Sequence, residues 1–461
     1  MKADALIGRE AELADLNAVC RGAGRGEPQL AVLWGRRRVG KTFLLSHLVR
    51  GRRAVFFGAT QQAQAVELAR LAETVRRDLG ESAADLATPS FASWESALRW
   101  FAAEAARRPL VVVLDEVPYL LKSTPGFASI VQVVWDHLAR GTKLLLVLTG
   151  SSVGVIEGLL GEGGPLRGRP TWARRLDPLD LISARRFLPR LSPERFFEAY
   201  CASGGYPLHL KAWNPAASFR HNLVQLGLSP GGLLLADAAG MLAEELAGAG
   251  GYSRILAAVG RGRTRFGEIA SEAGQRIEIP IEILVRAGFL RRALPVGAPK
   301  AAKPLYEIGD PYLAFWFSCL YGHQTEIETG QGEALFERLA PLWQRHLGWV
   351  FEEEARVHAA RLVAKGELPR NLVIGRWWAH SGQSCEVDVL GLAGSKTALV
   401  GEARWQAKPL GLRELSELQS KLSRVPAPTA DPSLVLWGRR GVTADVARAG
   451  VHGYSLAQML A

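Results

Sequence analysis

Along the first 150 residues, short apolar runs alternate with longer amphipathic stretches. The runs are LAVLW (30–34), AVFFG (54–58), VVVLD (111–115) and LLLVLTG (144–150). Runs of this length, rich in β-formers and separated by helical periodicity, predict βαβ units and hence a parallel sheet covered by helices. From about 180 to 250 the pattern turns helical, with AYCASGGYPLHLKAW as a glycine-punctuated joint. Three short helical patterns follow, YSRILAAVG, FGEIASEAG and IPIEILVRAG, and then a hairpin-like pair, GFLRRALPV and PLYEIGD. Short helices before a hairpin predict a winged helix-turn-helix.

From about 345 the pattern changes again. A helix through FEEEARVHAARLV precedes strand-like NLVIGRWW, CEVDVLGL and TALVGEARW, an amphipathic ELSELQSKL and a last strand, SLVLWG. This predicts a second, smaller α/β domain. VGAPKAAKP (296–304) and VPAPTADPS (425–433) read as loops. The expected division is 1–180, 181–250, 251–325 and 326–461, which suits a chain of 461 residues.

Composition narrows the reading. Hydrophobic residues at 48% beside 22% charged residues indicate a folded globular chain rather than a low-complexity one. The net charge of +11 favours polyanions without specifying one, and arginine dominates, with only 11 lysines among 56 basic residues. Cys20, Cys201, Cys319 and Cys385 are too scattered for a local zinc or redox motif. No apolar run suits a signal peptide or a membrane span, so the expectation is a cytoplasmic protein with no membrane partner.

The strongest chemical signal is Gly35-Arg36-Arg37-Arg38-Val39-Gly40-Lys41-Thr42, which fits GxxxxGK[ST] between an apolar strand and the helix TFLLSHLV. Glycines permit the tight loop, its backbone N–H groups cradle phosphates, Lys41 reaches the terminal phosphates and Thr42 ligates Mg²⁺. Phe43 directly follows the loop and is counted with the nucleotide-binding residues. In VVVLDE, Asp115 ends an apolar strand and is the second candidate for the magnesium shell. Glu116 is placed to polarise an attacking water. Ser151, after the strand ending in Thr149-Gly150, is a candidate sensor of the terminal phosphate. Arg167 and Arg169 in GPLRGRP are candidate charge stabilisers for this chain's site or a neighbour's, with a basic surface loop as the alternative.

Gly8-Arg9-Glu10, the phosphate loop, VVVLDE, LTGSS, PLRGR and GGYPLHL follow one another in an order that resembles archaeal and bacterial AAA-type, STAND-related ATPases with a C-terminal DEXX-box domain. The resemblance spans essentially the whole chain. It implies an AAA-like ATPase core, a helical lid, a winged helix and a restriction-endonuclease-like C-terminal domain, with ATP and Mg²⁺ as ligands. It also makes Ile7, Gly8 and Arg9 candidates for the adenine side. The segment DPYLAFWFSCLYG resembles the family's aromatic connector, in which Phe315, Trp316 and Phe317 are expected to pack between domains.

For the winged helix, IPIEILVRAG is the candidate recognition helix and Arg291, Arg292, Lys300 and Lys303 line the wing, where they would contact phosphates. Pro280 and the apolar run IEILV favour an internal docking role as the alternative. In the last domain, Glu386 and Asp388 alternate on one strand, as do Glu402 and Arg404 on the next. Each pair is aimed at one sheet face, so Asp388 and Glu402 are candidate ligands of a divalent metal. The spacing is that of a PD-(D/E)XK nuclease core, to which the acidic helix residues Glu352, Glu353 and Glu354 can add a carboxylate, their alternative being a solvated face. Arg404 stands where that motif has lysine, leaving cleavage and a DNA-clamping relic as alternatives, with Lys408 as a candidate substitute.

The function expected from the sequence is therefore a Mg²⁺-dependent ATPase coupled to DNA-associated modules. The rival expectation is an ATP-controlled signalling or scaffold switch working through protein docking. DNA, a second copy of the chain and a protein partner are the candidate partners.

Overall fold

The computed structural model describes residues 5–80, 90–138, 141–246, 250–299, 302–379 and 385–461. The chain divides into two compact units. The first comprises residues up to Leu179, joined by Tyr206–Leu208 and Ala243–Ala247; the second holds Asp180–Gly205, His209–Leu242 and Gly248–Ala461.

The first unit runs α1 (Glu10–Gly24), β1 (Gln29–Trp34), α2 (Lys41–Val49), β2 (Ala54–Gly58), α3 (Gln64–Leu79), α4 (Trp94–Arg107), β3 (Leu110–Asp115), α5 (Val117–Ser123), α6 (Phe127–Asp136), β4 (Leu144–Gly150), α7 (Val153–Leu160) and β5 (Trp172–Arg175). Its strands form one sheet in the order β2-β3-β4-β1-β5, parallel throughout. All residues of β3 and β4 are buried, which is why both read as unbroken apolar runs rather than as alternation. Phe57, Trp94, Phe101 and Phe127 anchor the core between the sheet and its helices. The four expected strands are present. β5 is an addition that the pattern does not announce: WARR carries no apolar run and joins the sheet only through its pairing with β1.

In the second unit, the expected helical stretch holds α8 (Leu181–Arg185), α9 (Pro193–Ser203), α10 (Pro207–Ala212), α11 (Phe219–Gly227) and α12 (Leu233–Glu245), the ends of α10 and α12 belonging to the first unit. Then come α13 (Gly250–Gly260), α14 (Phe266–Ala273), α15 (Glu278–Arg286) and an antiparallel pair, β6 (Leu290–Ala293) with β7 (Leu305–Ile308). Next are α16 (Pro311–Phe315), a π-helical turn at Trp316–Leu320, α17 (Gln324–Glu328) and the 34-residue α18 (Gly332–Lys365). Phe315, Trp316 and Phe317 are buried, and the Trp316 indole donates to the Leu235 carbonyl at 3.1 Å.

The C-terminal part continues with β8 (Val373–Trp378), β9 (Glu386–Ala393), β10 (Lys396–Arg404), α19 (Leu412–Lys421), β11 (Pro428–Gly438), α20 (Ala444–Arg448), β12 (His452–Ser455) and α21 (Leu456–Met459). The sheet order is β12-β11-β10-β9-β8. β8 to β10 form an antiparallel meander, and α19 is the crossover that sets β11 parallel to β10. Two expectations are corrected. β11 begins at Pro428, inside the stretch read as a loop, because its first residues lie at the end of the strand, where prolines cost few ladder bonds. SLVLWG is also not the last strand, since β12 pairs beyond it.

Candidate functional site

The phosphate-binding loop leaves β1 and enters α2. Its turn is forced by Gly35 (φ 148°) and Gly40 (φ 99°), with Arg38 also left-handed at φ 69°. A Cβ on Gly35 would sit 2.1 Å from the Leu176 carbonyl, so only glycine fits. β4 lies between β1 and β3, which places the ends of three strands side by side. Lys41 Nζ donates to the carbonyls of Gly35 (2.7 Å) and Arg36 (3.1 Å) and to Ser151 Oγ (3.0 Å). Thr42 Oγ1 donates to Asp115 Oδ2 at 2.8 Å. Glu116, left-handed at φ 59°, accepts from the Ser151 amide at 3.0 Å and from the Ser151 hydroxyl.

The structure thus unites Gly35, Arg36, Arg37, Arg38, Val39, Gly40, Lys41, Thr42, Asp115, Glu116 and Ser151 at one sheet edge. Burial lowers the Lys41 ammonium below its usual range, opposed by Glu116 and Asp115. Burial likewise raises the Asp115 carboxyl, opposed by its bond from Thr42. A hard carboxylate and a hydroxyl 2.8 Å apart suit Mg²⁺, which binds through one or two protein oxygens plus phosphate and water.

Arg9 ties the N-terminal segment to this loop, donating to the Val39 carbonyl at 3.2 Å and to the Asp177 carbonyl. Gly8 is left-handed at φ 69°, and Ile7 is half-buried. Phe43 is 38% exposed and its ring meets His47 edge-on. Arg169 is placed as the surface-loop alternative has it. It forms a two-point ion pair with Asp136 on α6 (2.8 and 2.7 Å) and donates to the Pro165 carbonyl, so its contacts are with its own loop and helix rather than the phosphate loop. Arg167 faces Glu162 at 4.0 Å on the surface.

Sequence reasoning missed Glu244 and Glu245. Arg37 Nε pairs with Glu244 at 2.5 Å, and Arg36 lies 3.5 Å from Glu245. Glu245 Oε2 is buried without a hydrogen-bond partner. Burial drives this carboxyl up to about 7 against the pull of Arg36 and Lys41. The acids lie some 200 residues beyond the loop, and the only local signal is a charged pair ending a largely apolar helix.

The second cluster lines a cleft of about 550 Å³ over the C-terminal sheet, with Glu352, Glu386, Asp388, Glu402, Arg404 and Lys421 in its walls. Asp388 Oδ2 accepts from the Ala403 amide at 3.0 Å. Burial raises both Asp388 and Glu402, and burial with the Asp388 charge raises Glu352 to about 8. Among the described residues no group of three or more His, Cys, Asp or Glu converges on a metal position, so the third carboxylate expected from Glu352, Glu353 or Glu354 does not join Asp388 and Glu402 in one cluster. Asp388 and Glu402 remain a hard, two-carboxylate donor set, which fits Mg²⁺ bound jointly with substrate phosphate and water.

The acidic helix run is not a solvated face. Glu353 pairs with Arg291 and Arg356, and Glu354 is buried, accepting from Tyr200 at 3.2 Å. Lys408 is exposed and is absent from the cleft wall, which corrects its candidacy. The wing expectation changes too. Arg291 is held by Glu307 at 2.8 Å and by Glu353, and Arg292 pairs with Glu282, so these guanidiniums are already engaged by carboxylates. Lys303 is exposed, and Lys300 lies outside the described residues.

Comparison with known proteins matches two parts of the chain. Residues 6–212 match a family of ATPase domains predominantly from Archaea, and residues 316–418 match a family of archaeal and bacterial proteins of unknown function. An uncharacterized protein of Methanocaldococcus jannaschii is 27% identical over 426 residues, 91% of each chain. Among solved structures, the Walker-type ATPase paby2304 of Pyrococcus abyssi aligns with TM-score 0.53 at 19% identity, covering 68% of this chain and 96% of that one. The ORC2 protein of Aeropyrum pernix aligns with TM-score 0.45 at 14% identity, covering 73% and 96%. Residues 6–212 are thus similar to archaeal ATPase domains, and the fold is similar to that of a Walker-type ATPase. No described helix is long and apolar enough to cross a membrane.

Proposed function

We propose that the protein is a Mg²⁺-dependent ATPase that couples nucleotide state to DNA engaged by its 250–461 part. The observation that carries this reading is the shared hydrogen-bond set of Lys41, Ser151 and Glu116 beside Thr42 and Asp115. Lys41 neutralises the terminal phosphates and Glu116 orients the attacking water. Ser151 bonds to both Lys41 and Glu116, so an arriving terminal phosphate exchanges its hydroxyl from the carboxylate to the nucleotide and frees Glu116 for the water. Thr42 and Asp115 are the residues that would hold Mg²⁺, which would supply positive charge toward the phosphates.

In this reading α13 to α15 with β6 and β7 form a winged helix, and the C-terminal sheet is a nuclease-like domain directed at phosphodiesters. Support comes from the antiparallel meander followed by a helical crossover to a parallel strand, with Asp388 and Glu402 on neighbouring strands. A divalent ion held by these two carboxylates supplies Lewis acidity at the phosphate.

The ATPase reading is tested with Lys41→Ala, which should abolish ATP binding and turnover; normal turnover by this variant would refute it. The DNA reading is tested by duplex binding across an ionic-strength series, with affinity falling steeply as salt rises. A flat response near zero affinity would instead favour the protein-docking switch.

A further inference from the structure

Two cations close on Glu402. Arg404 pairs with Oε1, and Lys421 brings Nζ to 2.5 Å from Oε2. Lys421 ends α19, whose Leu415 and Leu418 are buried in the core beneath, so its stem runs over the sheet and its head turns into the cleft. Its side chain is only 20% exposed. A cation in the last turn also complements the helix dipole. Lysine is scarce in this chain, with 11 against a large excess of arginine, yet a lysine occupies this place.

We propose that Lys421 supplies the site's ammonium from α19, replacing the strand lysine that Arg404 displaces, and acts as a catalytic residue on a phosphodiester. This rests on the reading of Asp388 and Glu402 as a phosphodiester site. A lysine at position 404 would share the sheet face of Glu402, two residues away. Arginine there keeps the charge as a planar fork suited to clamping phosphate, but it cannot present a compact, rotatable point charge. Lys421 can, and α19 is the very crossover that joins the two parallel strands beside the site.

In the resting site the ammonium neutralises Glu402. Glu402 and Asp388 would hold a divalent ion, and Lys421 Nζ, turned from Glu402, then faces a non-bridging oxygen of the scissile phosphate, where negative charge builds during attack. The water oxygen bonds to phosphorus, and the ester P–O bond breaks with its electron pair on the leaving oxygen. That oxygen gains a proton from solvent, and the attacking water loses one to it.

The test uses the full chain with Lys421→Met, Lys421→Arg and the double variant Asp388→Ala, Glu402→Ala. Duplex DNA cleavage is measured in Mg²⁺, and Mn²⁺ binding without DNA is followed by calorimetry. The expected result is wild-type cleavage that falls roughly 100-fold in Lys421→Met. Mn²⁺ should bind that variant more tightly, because its competing internal cation is gone, and the double variant should lose both properties. Lys421→Arg should recover metal behaviour close to wild type but little cleavage.

Undiminished cleavage by Lys421→Met, with the double variant inactive, would overturn the role of Lys421 and leave the phosphodiester site standing. Parallel loss of cleavage and of Mn²⁺ affinity in Lys421→Met would make it a structural prop and overturn the proposal as well. Absence of cleavage by the wild type would overturn the phosphodiester reading itself.

Discussion

Glu245 is expected to make nucleotide binding a proton-coupled event. Its carboxyl is buried beside Arg36 and within the field of Lys41, and burial holds its pKa at about 7. The polyphosphate of MgATP brings further negative charge to the same loop, which disfavours the ionised form still more. The free protein at pH 7 carries this proton about half the time, and the complex carries it nearly always, so binding takes up about half a proton. At pH 8, one unit above the pKa, protonating Glu245 costs about 1.4 kcal/mol. Glu245→Gln removes that cost and should bind MgATP about tenfold more tightly than wild type at pH 8, with near-equal affinities at pH 6. The assay is calorimetric titration of MgATP in buffers of differing ionisation enthalpy, which reads proton uptake directly. Identical buffer dependence in wild type and Glu245→Gln, or a pH-independent affinity ratio, would refute the argument.

Three further outcomes are expected. Glu116→Gln should keep ATP affinity and lose roughly a hundredfold or more in turnover, as measured by phosphate release, because an amide cannot polarise water. Gly35→Ala should lose nucleotide binding and lower the melting temperature, since its Cβ would meet the Leu176 carbonyl at 2.1 Å with no flexible atom to yield. His346, whose Nε2 donates to the Cys201 carbonyl at 3.0 Å, is pushed down to about 4 by burial. Between pH 6.5 and 4 the unfolded chain therefore binds the proton that the folded one refuses, so this group erodes stability by about 3 kcal/mol as pH falls through that window. Glu354, raised to about 7 by burial, acts oppositely: its contribution is full below 4.5 and fades as pH rises through 7. The difference between wild type and His346→Gln, followed by denaturant unfolding across pH, isolates the histidine term, and a constant difference would contradict the assignment.

What could be read from the sequence was whatever is written locally. Strands β1, β3 and β4 are buried along most or all of their length and so appear as apolar runs, the edge strand β2 is apolar though only alternately buried, and the phosphate loop is contiguous, with its glycines set by turn geometry. Asp388 and Glu402 followed from alternation along strands. What escaped depends on long-range pairing. β5 exists because β1 offers it an edge, and Glu244 and Glu245 matter only because the fold returns them to Arg37 and Arg36. Lys421 escaped for the same reason. A helix delivers it to a carboxylate 19 residues earlier, whereas period-two reasoning searches only along the strand. The wing arginines show the converse error, since a basic pattern does not reveal that carboxylates have already claimed it.

Helix α18 gives the second unit a mechanical property. At ~1.5 Å per residue its 34 residues make a rod on the order of 50 Å long. Along it, Trp343 meets Phe315, Glu353 holds the hairpin arginine Arg291, and His358 accepts from the Trp437 indole of β11 at 3.0 Å. Three neighbourhoods are thus pinned to one helix, so a tilt imposed at the aromatic attachment is passed along the same rod toward the carboxylates. The compliant point is Pro341, which lacks the amide for one rung of the ladder and lies upstream of all three attachments. Gly348, between the Trp343 and Glu353 attachments, is a second point where the beam can yield.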